Sequence, residues 1–337
     1  MPKELTHLIF SDLALKGIEE TCPETGKVLR DNYDIYLLGS IIPDTPFYDL
    51  SFFNKKKSIT FLSKKIHSNR GGLSSQFISR TLEEGLNGGR ESFAFSCGII
   101  SHQWADSVFH PFIVHFTGNF SDPDFTERRK AQARHRFLEG LIDLKLMSEP
   151  SIQSDLTPSR TACRLQAARA FTFSFVRSIL PGENDEAINE LNLRLHKVCS
   201  YQLKLLGLYD KTFFKALILL LNRLWGYNYE HYAGLLYADK DYLSLPLLNE
   251  EVVFNDPWSA MKMKKSVAGL TEEVVEKMKL SISRYGAARK DMSSLNPALF
   301  DEILPGCREE KRDEIIKDSF ATREVAQALN RFIGKKG

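Results

Sequence analysis

The stretch Gly98-Ile99-Ile100-Ser101-His102-Gln103-Trp104-Ala105-Asp106-Ser107-Val108-Phe109-His110-Pro111 decides how this chain is read. His102, Asp106 and His110 stand at i, i+4 and i+8. At roughly 100° and 1.5 Å per residue they drift about 80° around a helix while rising about 12 Å, so all three project from one stripe. Around that stripe Phe93, Phe95, Ile99, Ile100, Trp104, Val108 and Phe109 occupy most of the circumference, the pattern of a helix buried nearly all round. Burying two imidazoles and a carboxylate without partners would be expensive. A divalent cation removes the problem, because neutral imidazole and ionised carboxylate are its N and O ligands and its charge cancels theirs. Pro111 removes a backbone donor and disfavours helical geometry at His110. The helix is therefore expected to kink or stop there, turning His110 toward a different ion from the one held by His102 and Asp106.

Working outward, a second pair stands in Arg134-His135-Arg136-Phe137-Leu138-Glu139, where His135 and Glu139 are again four apart on one helix face. Asp44 is a lone carboxylate in the proline-punctuated turn Ile42-Pro43-Asp44-Thr45-Pro46. His67 ends a helical pattern just ahead of Ser68-Asn69-Arg70-Gly71-Gly72, and His7 opens the first amphipathic segment. Taken singly, each is as ordinary as a satisfied core histidine or an i, i+4 surface contact. Their conjunction on apolar segments is what points to metal.

The rest of the chain is a scaffold of the same kind. Apolar residues recur at three- and four-residue spacing in Leu5 to Ile18, Ile59 to Ile66, Leu73 to Leu86, Phe93 to His110 and Arg129 to Met147. The pattern returns in Thr161 to Leu180, Asp185 to Leu206, Lys211 to Trp225, Thr271 to Tyr285 and Glu309 to Ile333. Strand alternation is hard to find, so the fold class is all-α, a multi-helix bundle. Residues 1–235 are expected to form the metal-bearing domain. The irregular stretch Tyr237 to Ser259 then opens a linker and helical extension over 236–337, which packs on that domain or merges with it.

Composition narrows the partners. With 43% hydrophobic and 26% charged residues the chain is of ordinary globular type, and no apolar run approaches the roughly 20 residues of a membrane span. A net charge of +2 gives a polyanion little long-range attraction, which argues against nucleic acid. The opening Met1-Pro2-Lys3-Glu4-Leu5-Thr6-His7 is no signal sequence, so a cytoplasmic location is expected. Five cysteines (Cys22, Cys97, Cys163, Cys199, Cys307) without a C-x-x-C pair suggest reduced packing residues. There is no H-E-x-x-H, no His-Asp doublet and no ferritin-like carboxylate tetrad.

With these alternatives set aside, the chain resembles the zinc-dependent phospholipase C family, which includes the N-terminal domain of glycosylphosphatidylinositol-specific phospholipase D. The resemblance covers residues 1 to about 145. It rests on Thr6-His7, the Ile42-Pro43-Asp44 turn, His67, the Ser-His-x-x-x-Asp-x-x-x-His-Pro block from Ser101 to Pro111, and the His135-x-x-x-Glu139 pair, in the family's order. It implies that Asp44, His67, His102 and Asp106 bind one Zn²⁺ and that His110, His135 and Glu139 bind a second. It also implies a third site from His7 and a bridging Asp106, which in bacterial secreted members is completed by the processed N-terminal residue. Here six residues precede His7 and the spacing from Asp106 to His110 looks shorter than in those members.

The implied activity is phosphodiester hydrolysis, with zinc clamping phosphate oxygens and activating a water, and with Asp44 orienting or deprotonating that water. A phospholipid headgroup ester is the favoured substrate. The same fold also serves single-strand-specific zinc nucleases, and a non-catalytic helical scaffold held by its metals is the reading without an enzyme. Phe47, Tyr48, Phe52 and Phe53, followed by Lys55-Lys56-Lys57, lie close in sequence to Asp44 as in an interfacial loop for peripheral membrane contact, and equally as in a core turn followed by a solvated helix start. Trp225, Tyr227, Tyr229, Tyr232, Tyr237 and Tyr242 could line a cationic-headgroup pocket or pack helices. His115, His196 and His231 match no part of the pattern and are read as structural.

Overall fold

Segments with helical spacing fold as helices in a computed structural model that describes residues 3–49, 58–67, 73–120, 122–150, 152, 156–168, 172–180, 182–209, 211–228, 230–259, 261–290, 303–304 and 323–335. The elements run α1 (Glu4–Thr21), α2 (Pro23–Asp31), α3 (Tyr33–Ile41), a 3-10 turn (Ile42–Tyr48), α4 (Thr60–Ile66), α5 (Ser75–Asn87), α6 (Arg90–Thr117), α7 (Phe125–Ser148), α8 (Pro158–Ala168) and α9 (Thr172–Ile179). They continue as α10 (Asp185–Leu206), α11 (Thr212–Leu224), α12 (Glu230–Ala233), a 3-10 turn (Lys240–Ser244), α13 (Pro246–Asn249), β1 (Val252–Asn255), β2 (Lys262–Lys265), α14 (Val267–Lys290) and α15 (Arg323–Ile333). The protein is all-α, with one antiparallel hairpin, β1 with β2, among the described residues. No described helix is long and apolar enough to cross a membrane.

The spine is α6, buried around nearly its whole circumference because α1, α3, α5, α7 and α14 pack on it from different sides. Its closest neighbour is α3, and two glycines make that approach feasible. A Cβ on Gly98 would lie 2.2 Å from the Tyr36 carbonyl oxygen and 2.7 Å from Gly39 Cα, and a Cβ on Gly39 would lie 2.3 Å from the Phe95 carbonyl oxygen. Only glycine at both positions permits this backbone contact. On the far side α1 meets α6 through Phe10 against Phe109, with ring centroids 5.2 Å apart. The Tyr36 hydroxyl ties the three helices together. It lies 3.0 Å from both the Ser11 carbonyl of α1 and Ser101 Oγ of α6.

Pro111 does not end α6, contrary to the sequence expectation; the helix runs on to Thr117 and stops at Gly118, whose φ of +95° leaves the helical region. Losing one N–H donor is tolerable in a helix clamped on all sides, since tertiary packing outweighs a single ladder bond. α7 packs back against α6. The Asp124 carboxylate accepts the Glu127 backbone N–H at 2.9 Å as an N-cap.

The C-terminal elements cover this unit. α14 lies on α1 and α6, where the Trp104 indole donates to Ser281 Oγ at 2.7 Å and Tyr285 stacks on Phe93 at 4.9 Å. α15 reaches α7 through Phe332 against Phe137 at 5.4 Å. The stretch read as an irregular linker contains β1, whose Phe254 meets Phe112 of α6 edge-on at 5.4 Å. Phe52, Phe53, Lys55 to Lys57, Tyr229, Cys307 and the charged run Glu309 to Lys317 lie outside the described residues.

Candidate metal centre

Every residue singled out from the sequence as a ligand is buried or nearly so, and the packing of α6 explains where each one lies. One turn beyond the Gly39–Gly98 crossing, His102 sits against the end of α3, where its Nδ1 lies 2.8 Å from the Ser40 carbonyl oxygen. His67, the residue that caps α4, does the same with the Ser63 carbonyl at 3.0 Å. A carbonyl can only accept, so Nδ1 carries the proton in both rings and each Nε2 lone pair faces inward.

Those lone pairs meet carboxylate oxygens. His67 Nε2 is 3.2 Å from Asp44 Oδ1, and His102 Nε2 is 3.3 Å from Asp106 Oδ2 and 3.9 Å from Asp44 Oδ1. His7, arriving on α1, places Nε2 3.5 Å from Asp106 Oδ1 and 4.0 Å from Asp44 Oδ2, with its ring stacked on His102 at 4.4 Å and 4°. Asp44 reaches the cluster because Ile42-Pro43 turns the chain off the end of α3 into the 3-10 segment. Thr45 beside it donates to Gln202 at 2.6 Å and fixes that turn on α10.

One turn further along α6 the second group gathers. His135 Nε2 is 3.0 Å from Glu139 Oε1, and the His110 and His135 rings lie 5.8 Å apart. The Thr117 hydroxyl, which donates to the Ile113 carbonyl at 2.7 Å, lies 3.5 Å from His135 Nδ1. His110 is thus separated from the His102 cluster by the rise of a continuous helix, not by a break at Pro111.

The electrostatics identify what these atoms need. Asp44 Oδ1, both Asp106 oxygens, His67 Nε2, His102 Nε2 and both His110 nitrogens are buried without a hydrogen-bond partner. Burial pushes the Asp44 carboxyl above its ordinary range and Asp106 up to about 7, and holds the His102, His110 and His135 imidazoles below theirs. A neutral, lone-pair-bearing Nε2 beside a carboxylate oxygen is repulsive unless a proton or a metal cation is shared between them. His7, Asp44 and His102 can each offer one ligand atom with all three within 4.8 Å of one another, and so can His67, His102 and Asp106. Nitrogen and oxygen donors in this combination suit zinc.

Several contributors were not singled out in the sequence. The Ser40 carbonyl, which meets His102 only where α3 packs on α6, and the Ser63 carbonyl, one turn before His67 in α4, orient the candidate imidazoles. Asp143, one turn beyond Glu139, accepts from the Thr6 backbone N–H at 2.8 Å, the Thr6 hydroxyl at 2.6 Å and the Tyr237 hydroxyl at 2.7 Å, pinning α1 beside His7. The available signal was the pair of isolated glycines, Gly39 and Gly98, inside helical patterns. His115 is tied to β1, its Nδ1 accepting the Asn255 N–H at 3.3 Å, and Tyr237 and Tyr242 pack in the interior and against Phe137.

No curated protein and no solved structure matches the chain. A family model does: that of zinc-dependent phospholipase C aligns with residues 6–182, which spans His7, Asp44, His67, the whole of α6, His135 and Glu139. On that match, together with its all-helical architecture, the chain belongs to the zinc-dependent phospholipase C family.

Proposed function

We propose that the protein is a zinc-dependent phosphodiesterase acting on phospholipid headgroup esters. One observation carries the reading: inward-facing Nε2 atoms and carboxylate oxygens, buried and without hydrogen-bond partners, on a chain of this family. Asp44, His67, His102 and Asp106 would hold one zinc, His110, His135 and Glu139 a second, and His7 with a shared Asp106 would begin a third. When bound, the ions supply Lewis-acid stabilisation of phosphate charge and lower the pKa of a water toward about 7.

The chain's own residues supply orientation and proton handling. Of the two central carboxylates, Asp106 is fully enclosed, while the Asp44 side chain is 10% exposed. Asp44 is therefore the one that meets water arriving with a substrate, and it can orient that water and take its proton. Phe47, its ring 5.5 Å from that of His67, is half exposed beside the same cluster. Asp143 and the Ser40 and Ser63 carbonyls touch no substrate; they hold the imidazoles and α1 in register.

Zinc content after desalting, read beside hydrolysis of a phosphocholine ester and of single-stranded DNA, tests this. Expected are zinc in the parent protein, loss of zinc and activity in His102→Ala and Asp106→Asn, and a loss of about 10²-fold or more in rate for Asp44→Asn. Unchanged zinc in the first two variants sinks the assignment, and preference for DNA sinks the lipid substrate.

A further inference from the structure

α11 turns to solvent a face that its composition does not suit. Phe213, Leu217, Leu220 and Leu224 stand at i, i+4, i+7 and i+11, one stripe of a helix, and are 81%, 39%, 54% and 70% exposed. Among the residues of α11 the buried one is polar Asn222. Trp225, immediately after the helix, is 53% exposed. This stripe and the tryptophan expose on the order of 500 Å² of mostly apolar surface, the size at which a patch on a monomer marks an interaction site.

Area and charge choose the occupant. A standard protein interface takes about 800 Å² from each partner, more than this stripe provides. Thr212–Leu224 contains no acidic residue; its charges are Lys215, paired with Asp239, and the exposed Arg223. An apolar stripe free of acidic residues, flanked by the exposed Arg223 and ending in a tryptophan, is complementary to a bilayer surface carrying anionic headgroups. We propose that α11 is a docking helix that lies on the surface of an anionic phospholipid bilayer, burying Phe213, Leu217, Leu220 and Leu224. The helix is also coupled to the metal centre. Lys215 Nζ donates to the Tyr237 carbonyl at 3.3 Å, and the Tyr237 hydroxyl donates to Asp143, which holds α1. Docking by α11 would thus fix the orientation of the centre relative to the lipid. The biological purpose rests on the phosphodiesterase reading; the binding itself does not.

Co-sedimentation of the full chain with vesicles of phosphatidylcholine containing about one-third phosphatidylserine tests the proposal. Leu220→Glu combined with Leu224→Glu lies on an exposed face and leaves the fold intact, which circular dichroism checks. The parent is expected to bind these vesicles, with affinity lower by about tenfold on pure phosphatidylcholine, and the double variant to lose at least about tenfold. Both should hydrolyse a water-soluble monomeric phosphocholine ester at equal rates. Absence of vesicle binding by the parent, or equal binding by the variant, overturns the docking surface, as does an α11-dependent dimer that does not bind vesicles. Failure of both proteins on the soluble ester overturns the phosphodiesterase reading instead and leaves the vesicle result standing.

Discussion

Substituting Gly98 by alanine should be among the most damaging one-carbon changes in this protein. The added Cβ would sit 2.2 Å from the Tyr36 carbonyl oxygen, so α3 and α6 must separate by about 1 Å to reach the closest approach real Cβ atoms show. Alanine favours a helix interior over glycine by about 1 kcal/mol, which opposes the damage. Overpacking of a rigid backbone contact costs about 1 to 3 kcal/mol, so the net effect should be a loss of up to about 2 kcal/mol. The displacement also reaches the centre. The 2.8 Å contact from His102 Nδ1 to Ser40, stretched by the same amount, becomes about 3.8 Å and ceases to be a hydrogen bond. Losing such an orienting partner weakens metal binding by about 10- to 100-fold. Urea unfolding of the zinc-free protein measures the first effect, and competition with a chromogenic chelator the second. Gly269→Ala is the control: its Cβ meets only Ser266 Oγ, at 3.5 Å, and stability should stay level or rise slightly. A Gly98→Ala protein as stable as the parent, with undiminished zinc affinity, would refute the crossing as the device that sets His102.

Three further outcomes follow from the same geometry. His110→Leu should stabilise the chelated protein by about 1 kcal/mol, because both ring nitrogens are buried unpaired, and destabilise the zinc-loaded protein; the same sign in both thermal melts contradicts the ligand role. Zinc affinity should weaken as pH falls from 8 toward 5.5, since burial holds the Asp106 proton up to about 7 and zinc must displace it. The limit is about tenfold per pH unit for one proton, and a pH-independent dissociation constant counts against Asp106. Ser281→Ala leaves the buried Trp104 indole N–H without its 2.7 Å acceptor and should cost about 1 to 3 kcal/mol in chemical unfolding; an unchanged midpoint argues against α14 packing there.

The parts of this architecture that were legible in the sequence are those a single segment specifies. All-round apolarity marked α6 as a buried helix, and an imidazole–carboxylate spacing of four marked His102 with Asp106 and His135 with Glu139 as shared faces. The placement of α3 was not legible. Tyr33–Ile41 is short and nearly continuously apolar, a pattern that does not separate a helix from a buried strand. The meaning of Gly39 and Gly98 exists only where two helices meet. Pro111 misled because local propensity was read without the packing that overrides it. The β1–β2 hairpin escaped notice for the same reason: four-residue strands carry little period-2 signal, and β1 is held by Phe254 against Phe112.

The sealing of the cluster has a kinetic corollary. Among the described residues, water touches it along the rims of Asp44, His67, His135 and Glu139, each about a tenth accessible, while His102, Asp106 and His110 are fully covered. A chelator the size of EDTA, like a substrate, is expected to reach an ion across that rim only after a local opening. Stripping should then proceed at the rate of that opening, and beyond a saturating dose, more reagent should not hasten it.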